Sequence, residues 1–440
     1  MNAAGLMQDS RPAHPSLHLF RSAEGDHLFL PDGSRLYDID AATRDALAAP
    51  LEHIDQALAR LGLNPHAAAP MEAVQDPPLR SLSLAVSQTC NLSCGYCYAQ
   101  GGSFGAPARH MAWPVAEKAI RTLFSEAPAG SRVVIAFLGG EPLIHRGLIR
   151  QATTFATELS ERTGVRAGFS LTSNGTLMRE DDGEFFESHA FALTISMDGT
   201  PEQHNQLRVF ADGRPTYRRI EQNIAPLLRM QNRMQISARV TVTPQNLNLR
   251  ASLDHLLGLG FHSAGFAPML ASPTGLLQLE PRHFETMLEQ MTGCGDEFVR
   301  RTIARRRYAF SNLTEALRQL HRGTHRPYPC GAGASYLGVS ASGDFTACHR
   351  FVEDPLGAMG SLESGLDRQR QNLWLRERHV DRQEPCRACW ARYLCGGGCH
   401  HEVLHRGRVA CDYIRGWLQY CLLTYVKLQR EAPWYFGNHV

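Results

Sequence analysis

Three cysteines in eight residues, Cys90-Asn-Leu-Ser-Cys94-Gly-Tyr-Cys97, constrain this chain more than any other stretch. They follow an apolar run at 82–86 that reads as a buried strand, which places the thiols on a loop at the end of that strand. Thiolates select zinc or an iron–sulfur cluster. A structural zinc site closes its tetrahedron with a fourth protein ligand, and this loop supplies three. A cluster with one open iron fits the count better, and a zinc knuckle lacking a ligand is the alternative.

The rest of the composition bounds what such a loop can serve. A chain of 440 residues, 43% hydrophobic and 20% charged, has room for two or three domains with a sizeable core. A formal charge of +2 argues against nucleic acid as a partner, because phosphate binding needs a basic excess. The Arg300-Arg301 and Arg305-Arg306-Arg307 clusters read as solvated helix faces. Residues 1–15 lack the pattern of a secretory signal, and no run approaches the roughly 18 apolar residues of a membrane span. The expected compartment is the cytoplasm. Disulfides are rare there, so twelve cysteines point to metal or redox chemistry. Ten of them fall into spaced groups; Cys294 and Cys421 stand apart, and Cys421 lies in a helical-looking apolar stretch that reads as core.

Residues 18–40 alternate as three short strands, Asp40 looks like the N-cap of a helix, and 51–63 reads as another helix. These form a small N-terminal α+β module over 1–78, its last part, 65–78, a proline-rich linker. Its size and order resemble the winged-helix peptide-recognition elements fused to peptide maturases, and a plain structural cap is the alternative. From residue 82 strands and helices alternate as βα units. Strands are expected at 82–86, 133–138, 168–172, 192–196, 235–242 and 264–268, with helices such as 115–124, 148–163, 219–228 and 252–257 between them. The fold class is therefore α/β, a partial six-unit TIM-like barrel over 79–320, in which chemistry belongs at the carboxyl ends of the strands. Those ends carry the unusual motifs. The second strand closes in Gly139-Gly140-Glu141-Pro142, where glycines permit close backbone approach to a ligand and a carboxylate can accept from an ammonium group. The third closes in Ser173-Asn174-Gly175-Thr176, and the fourth in Ser196-Met-Asp198-Gly199, followed by His204 and Arg208.

After 268 the sequence turns helical over 282–321, so the barrel is expected to stop at six units. A second cysteine framework then fills 321–440: Cys330, Gly343 and Cys348, then Cys386-x2-Cys389-x5-Cys395-x3-Cys399, and finally Cys411. Seven thiolates cannot complete two four-ligand clusters, so one would be closed and the other would keep an open iron. Gly396-Gly397-Gly398 would turn amide N–H groups toward sulfur, which tunes potential. Zinc remains an alternative for the Cys386 run, and His400 and His401 beside Cys399 read as a solvent-facing pair.

Cys90-x3-Cys94-x2-Cys97, with an aromatic before the last cysteine and Gly139-Gly140-Glu141-Pro142 beyond it, resembles the radical S-adenosylmethionine enzymes. The seven later cysteines resemble the SPASM extension of the members that modify peptides. The resemblance covers roughly residues 80–425 and implies three 4Fe-4S clusters and S-adenosylmethionine as cofactors. It implies one cluster on Cys90, Cys94 and Cys97, a closed auxiliary cluster on Cys386, Cys389, Cys395 and Cys411, and a second auxiliary cluster on Cys330, Cys348 and Cys399. It places Tyr96 near the adenine, Gly139, Gly140, Glu141 and Pro142 at the methionine amino group, Asn174 and Ser196 toward the ribose, and Arg208, with Arg239 as a competitor, at the methionine carboxylate.

The implied activity is hydrogen abstraction from a peptide or small protein by a 5'-deoxyadenosyl radical, with a flavodoxin- or ferredoxin-type reductant. The stretch Cys97-Tyr98-Ala99-Gln100-Gly-Gly-Ser103-Phe104-Gly105 resembles a loop of maturases that link a cysteine sulfur to carbon. A thioether product is therefore expected, and formylglycine formation by a sulfatase-type maturase is the alternative. Sulfatase maturases close the first auxiliary cluster with an additional cysteine, and Tyr336 is among the residues standing where it would sit. An iron–sulfur electron carrier without catalysis has no use for the methionine-pocket motif. The resemblance names no catalytic side chain.

Overall fold

The computed structural model describes residues 2–12, 14–48, 54–64 and 72–439. The chain forms two compact units, each assembled from separated segments: Met1–Ala73, Glu280–Cys330 and Arg376–Val440 make one, and Val74–Leu279 with Gly331–Leu375 make the other. The units run across the sequence segments expected from motif order.

The first unit contains a three-stranded antiparallel sheet, β1 (His18–Ser22), β2 (Gly25–Leu30) and β3 (Arg35–Ile39). Asp40 caps the helix Ala41–Leu47 as expected, its Oδ1 accepting from Thr43 N–H at 2.7 Å. Of the helix expected over 51–63 the described part is Ile54–Arg60, and most of the 65–78 linker lies outside the described residues. Period-two alternation along β2 buries Leu28 and Leu30 against Leu47, Ile54 and Leu58. On the opposite face His18 stacks on Trp390 at 4.0 Å, and Trp390 Nε1 donates to Ser10 O at 2.8 Å. The expected helical stretch over 282–321 is two helices, Pro281–Ile303 and Ser311–His321, which pack on the long helix Cys411–Glu431. Cys421 is fully buried in that helix, as expected of a core residue. Cys294 is also fully buried, one position before Gly295, which packs on the Tyr420 ring.

The second unit is built on parallel strands in sequence order, β4 (Ser81–Ser87), β5 (Arg132–Gly139), β6 (Arg166–Ser173), β7 (Ala192–Ser196), β8 (Gln235–Val242) and β9 (Ser263–Pro268). All six expected strands are present within two residues of their expected ends. Helices Glu180–Ser188 and Pro201–Leu207 are additional to the expected set. The sheet also extends beyond six strands. β10 (Tyr336–Val339) pairs parallel with β4, and β11 (Asp344–Thr346), β12 (Ala358–Ser361) and β13 (Gly365–Leu366) continue it antiparallel. β10 is four residues long inside a cysteine-spaced segment, so periodicity could not flag it.

The two faces of the parallel sheet differ in chemistry. Phe137, Leu171, Leu193 and Ile236 are buried and in register with one another, as are Ile195, Ala238 and Ala264. The alternate positions are polar and less buried: Ser170, Thr172, Thr194, Ser196, Ser237, Arg239 and Thr241. A complete eight-stranded barrel fills its interior with branched apolar side chains. Here that face is lined for contact with something polar.

Candidate metal and cofactor sites

Gly139, Gly140 and Gly102 set the root of the Cys90 loop. A Cβ on Gly139 would lie 2.2 Å from Ser87 O, and one on Gly140 would lie 2.2 Å from Thr89 O. Their bareness lets Gly140 N–H and Glu141 N–H donate to Ser87 O and Thr89 O, both at 2.8 Å. The close approach expected toward a ligand is thus made to the protein's own backbone. The loop is pinned again where Ser93 N–H donates to Val209 O at 2.9 Å. Cys90, Cys94 and Cys97 come together there, each within electrostatic range of the others. Burial pushes the Cys94 thiol up to about 11, against the opposing effect of Arg208. Leu92 N–H donates to Cys90 Sγ at 3.4 Å, and Asn174 Nδ2 lies 3.8 Å from the same sulfur. Three converging thiols held among donors are a fitting ligand set for a cluster with one open iron.

Glu141 is fully buried. Its carboxylate accepts from Leu143 N–H (3.0 Å), Ser173 Oγ (2.9 Å) and Asn174 N–H (2.7 Å), so it ties the end of β5 to the end of β6. A carboxylate has about four acceptor sites, which leaves capacity for an ammonium donor. Pro142 opens the buried turn that follows. Asn174 Nδ2 donates to Asn91 Oδ1 at 2.9 Å and its Oδ1 accepts from Thr176 N–H at 2.9 Å, locking the cluster loop to the third strand end. Ser196 closes β7 half-buried and in register with Arg239, which is exposed.

Tyr96 and Arg208 are buried together. Arg208 Nη1 donates to the Tyr96 hydroxyl, which donates to Asp198 Oδ2, and Arg208 Nη1 lies 3.8 Å from that carboxylate. Thr241 N–H donates to Asp198 Oδ1 at 2.9 Å. Burial raises the Asp198 carboxyl, and the Arg208 guanidinium is the largest influence holding it down. Arg208 Nε is buried with no partner among the described residues, a donor left for an anionic group. His204 supports the group: Nδ1 accepts from Asp198 N–H (3.1 Å), and Nε2 pairs with Thr216 Oγ1 (2.9 Å), which donates to Arg208 O (2.7 Å).

Of the seven later cysteines, Cys386, Cys389, Cys395 and Cys411 gather within the first unit, each in electrostatic range of others in the set. Burial raises the Cys395 thiol, and the backbone amides of Gly397 and Gly398 lie near enough to act in the opposite direction. Gly396 accepts no side chain for another reason: a Cβ there would lie 2.4 Å from Pro329 N. Cys399 and Cys330 belong to the same unit, and buried Cys348 to the second. His400 is not solvent-facing. It is 2% exposed, accepts from Arg378 Nε at 3.1 Å through Nδ1, and burial brings its pKa down to about 3. Tyr336 hydroxyl is shared between Ser83 Oγ (2.9 Å) and His349 Nδ1 (2.7 Å).

Residues 84–249 match the family model of the Radical SAM superfamily, and the match spans the cysteine loop and all the strand-end motifs around it. The chain carries a radical SAM domain. Around that domain it is 26% identical over 365 residues to a serine-type anaerobic sulfatase-maturating enzyme of Klebsiella aerogenes, covering 80% of this chain and 86% of that one. It is 28% identical over 233 residues to a cysteine-type enzyme of Clostridium novyi, covering 48% and 59%. Native anSMEcpe with bound AdoMet superposes with a TM-score of 0.66 at 18% identity, covering 80% of this chain and 99% of that one. SuiB of Streptococcus suis bound to S-adenosylmethionine gives 0.53 at 16%, covering 90% and 96%. These two share the fold of the radical SAM domain seen here.

Asp198 is the residue of the radical SAM site that sequence reading passed over. It stood inside the quoted Ser196-Met-Asp198-Gly199, but only its burial beside Arg208 reveals that it joins Tyr96 to Arg208.

Proposed function

We propose that this radical SAM enzyme is a maturase of a peptide or small protein, active in the cytoplasm with a flavodoxin- or ferredoxin-type reductant. Cys90, Cys94 and Cys97 would hold a 4Fe-4S cluster, which would supply the electron for reductive cleavage of S-adenosylmethionine and so for hydrogen abstraction from a substrate carbon. The chain's own residues do the positioning. Arg208, held by Tyr96 and Asp198, offers its unpartnered Nε to the methionine carboxylate. Glu141 and Asn174 keep the loop against the strand ends, Gly139, Gly140 and Pro142 shape the amino-group pocket, and Ser196 lines the ribose side. The polar sheet face carrying Thr172, Thr194, Ser237 and Thr241 receives the peptide backbone.

The bond formed is a cysteine-to-carbon thioether. What supports this reading is the side chain at Tyr336, which is committed to Ser83 and His349 and supplies no thiolate to close the first auxiliary cluster. Cys294, the other candidate for closing it, is enclosed in a helix-packed core. A cluster left with three thiolates would offer its remaining iron to a substrate thiolate, the group that carbon–sulfur bond formation needs. No helix among the described residues is long and apolar enough to cross a membrane. Co-expression with peptides encoded nearby, followed by mass spectrometry, tests the reading. The product should be about 2 Da lighter per link, since two hydrogens leave, and its cysteine should resist alkylation after reduction. The likeness to the Klebsiella and Clostridium enzymes favours a second reading, formylglycine formation. An aldehyde at a Ser or Cys, detected with a hydrazide probe, decides for it.

A further inference from the structure

The buried surroundings of the two thiol groups differ in charge. In the second unit Cys90 and Cys94 face one guanidinium, Arg208, together with two buried carboxylates: Glu141 acts on Cys90 and Asp198 on Cys94. In the first unit the Cys386, Cys389, Cys395 and Cys411 set is ringed by four arginines. Arg408 lies within electrostatic range of Cys386 and Cys411, and Arg415 of Cys411, while Arg326 is in range of both Cys395 and Cys330 and Arg378 of both Cys386 and Cys399. The opposing carboxylates are Asp412 for Cys411, paired with Arg415, Glu377 beside Arg378, and Glu315 beside Arg326.

These arginines are built in. Arg408 donates through Nη1 to Gly397 O and through Nη2 to Gln383 Oε1, which fixes it against the glycine run whose amides lie near Cys395. Arg415 stands one helical turn after Cys411. Arg326 donates to Leu394 O, one residue before Cys395. Arg378 is 9% exposed and donates to His400, one residue after Cys399. Arg326 Nε and Arg415 Nε are buried with no partner among the described residues, so each has a donor left for sulfur.

We infer that this arginine collar raises the reduction potential of the closed auxiliary cluster above that of the cluster on Cys90, Cys94 and Cys97. The inference rests on the cluster assignment proposed above. Each added electron deepens the negative charge of a thiolate-ligated cluster, and net charge with hydrogen bonds to sulfur sets its potential. Four fixed guanidinium groups favour the reduced form, while Glu141 and Asp198 disfavour it at the other site.

The test is an anaerobic redox titration of the reconstituted full chain followed by electron paramagnetic resonance. The Cys90→Ala/Cys94→Ala/Cys97→Ala protein, which keeps only auxiliary signals, assigns the resonances. In the unaltered protein the Cys386 site should reduce at the higher potential. In Arg408→Gln/Arg415→Gln its reduced-to-oxidised ratio at fixed potential should fall about tenfold, about 59 mV for one electron, and Arg408→Lys/Arg415→Lys should restore most of it. A glutamine variant with full iron and an unshifted midpoint overturns the inference. If that variant loses iron, the order of reduction in the unaltered protein decides, and an auxiliary midpoint at or below that of the Cys90 site overturns it. A protein that takes up no iron at the Cys386 site overturns the cluster assignment as well, and measured iron content tells the two failures apart.

Discussion

Glu141→Gln separates two roles for one carboxylate. Its oxygens accept from Leu143 N–H, Ser173 Oγ and Asn174 N–H, all buried. An amide of the same size can replace only one oxygen. If its oxygen faces Leu143 and Ser173, its NH2 group confronts Asn174 N–H, and the shortest bond of the three becomes a donor–donor contact. The opposite orientation sacrifices Leu143 N–H instead, while the Ser173 hydroxyl can rotate to accept. Either way at least one charge-assisted bond is lost, worth about 1.5–3 kcal/mol, or roughly 10- to 150-fold. Removing the side chain altogether in Glu141→Ala strands up to three buried donors at about 1–3 kcal/mol each. That approaches the whole stability of a domain, roughly 5–15 kcal/mol. The expected result for Glu141→Gln is a lowered melting temperature, partial loss of iron from the Cys90 site, and at least tenfold weaker binding of S-adenosylmethionine in equilibrium dialysis, all together. For Glu141→Ala the expected result is failure to retain that cluster. An alanine variant with native melting temperature, full iron and abolished binding would refute the tie between strands and leave the carboxylate as a direct ligand alone.

Reconstituted protein should hold about twelve irons if each cysteine group carries a 4Fe-4S cluster, and Cys90→Ala/Cys94→Ala/Cys97→Ala should remove about a third of them along with cleavage of S-adenosylmethionine; uptake of zinc in their place sinks the cluster reading. Gly140→Ala places a Cβ about where Thr89 O already stands, so iron at the Cys90 site should be lost, and an iron-replete Gly140→Ala protein would contradict the packing. His204 is buried neutral, its pKa brought down to about 3, mainly by burial. The unfolded chain therefore binds a proton below about pH 6.5 that the folded chain refuses, and stability falls as pH drops from there toward the folded value. His204→Gln should flatten the pH dependence of the melting temperature between about pH 6.5 and pH 4 by one proton, and parallel curves for the two proteins would count against it. Asp198→Asn should weaken binding of S-adenosylmethionine while leaving iron in place, because it loosens Arg208 without touching a thiol; binding equal to the unaltered protein would exclude the positioning role.

The grouping of Cys90, Cys94 and Cys97 was legible in the sequence because cysteine spacing on a loop is local information, and three thiols in eight residues have few structural uses. The six strands were legible for a similar reason: each is a run long enough to show its period, bounded by turn residues at Gly139-Gly140, Gly175 and Gly199. What only the tertiary structure decided depends on pairs far apart in the chain. β10 joins the sheet because four residues meet β4 some 250 positions earlier, and nothing in Tyr336–Val339 alone announces a parallel partner. Glu141 became a tie between strand ends when Ser173 and Asn174 arrived beside it, and Asp198 became the link between Tyr96 and Arg208 when burial removed water from all three. His400 looked solvent-facing from its neighbours, but Arg378 lies over it. Spacing along a chain specifies which atoms can bind a metal. Burial and partner, which set the charge of that site and therefore its potential, exist only after the distant segments have packed.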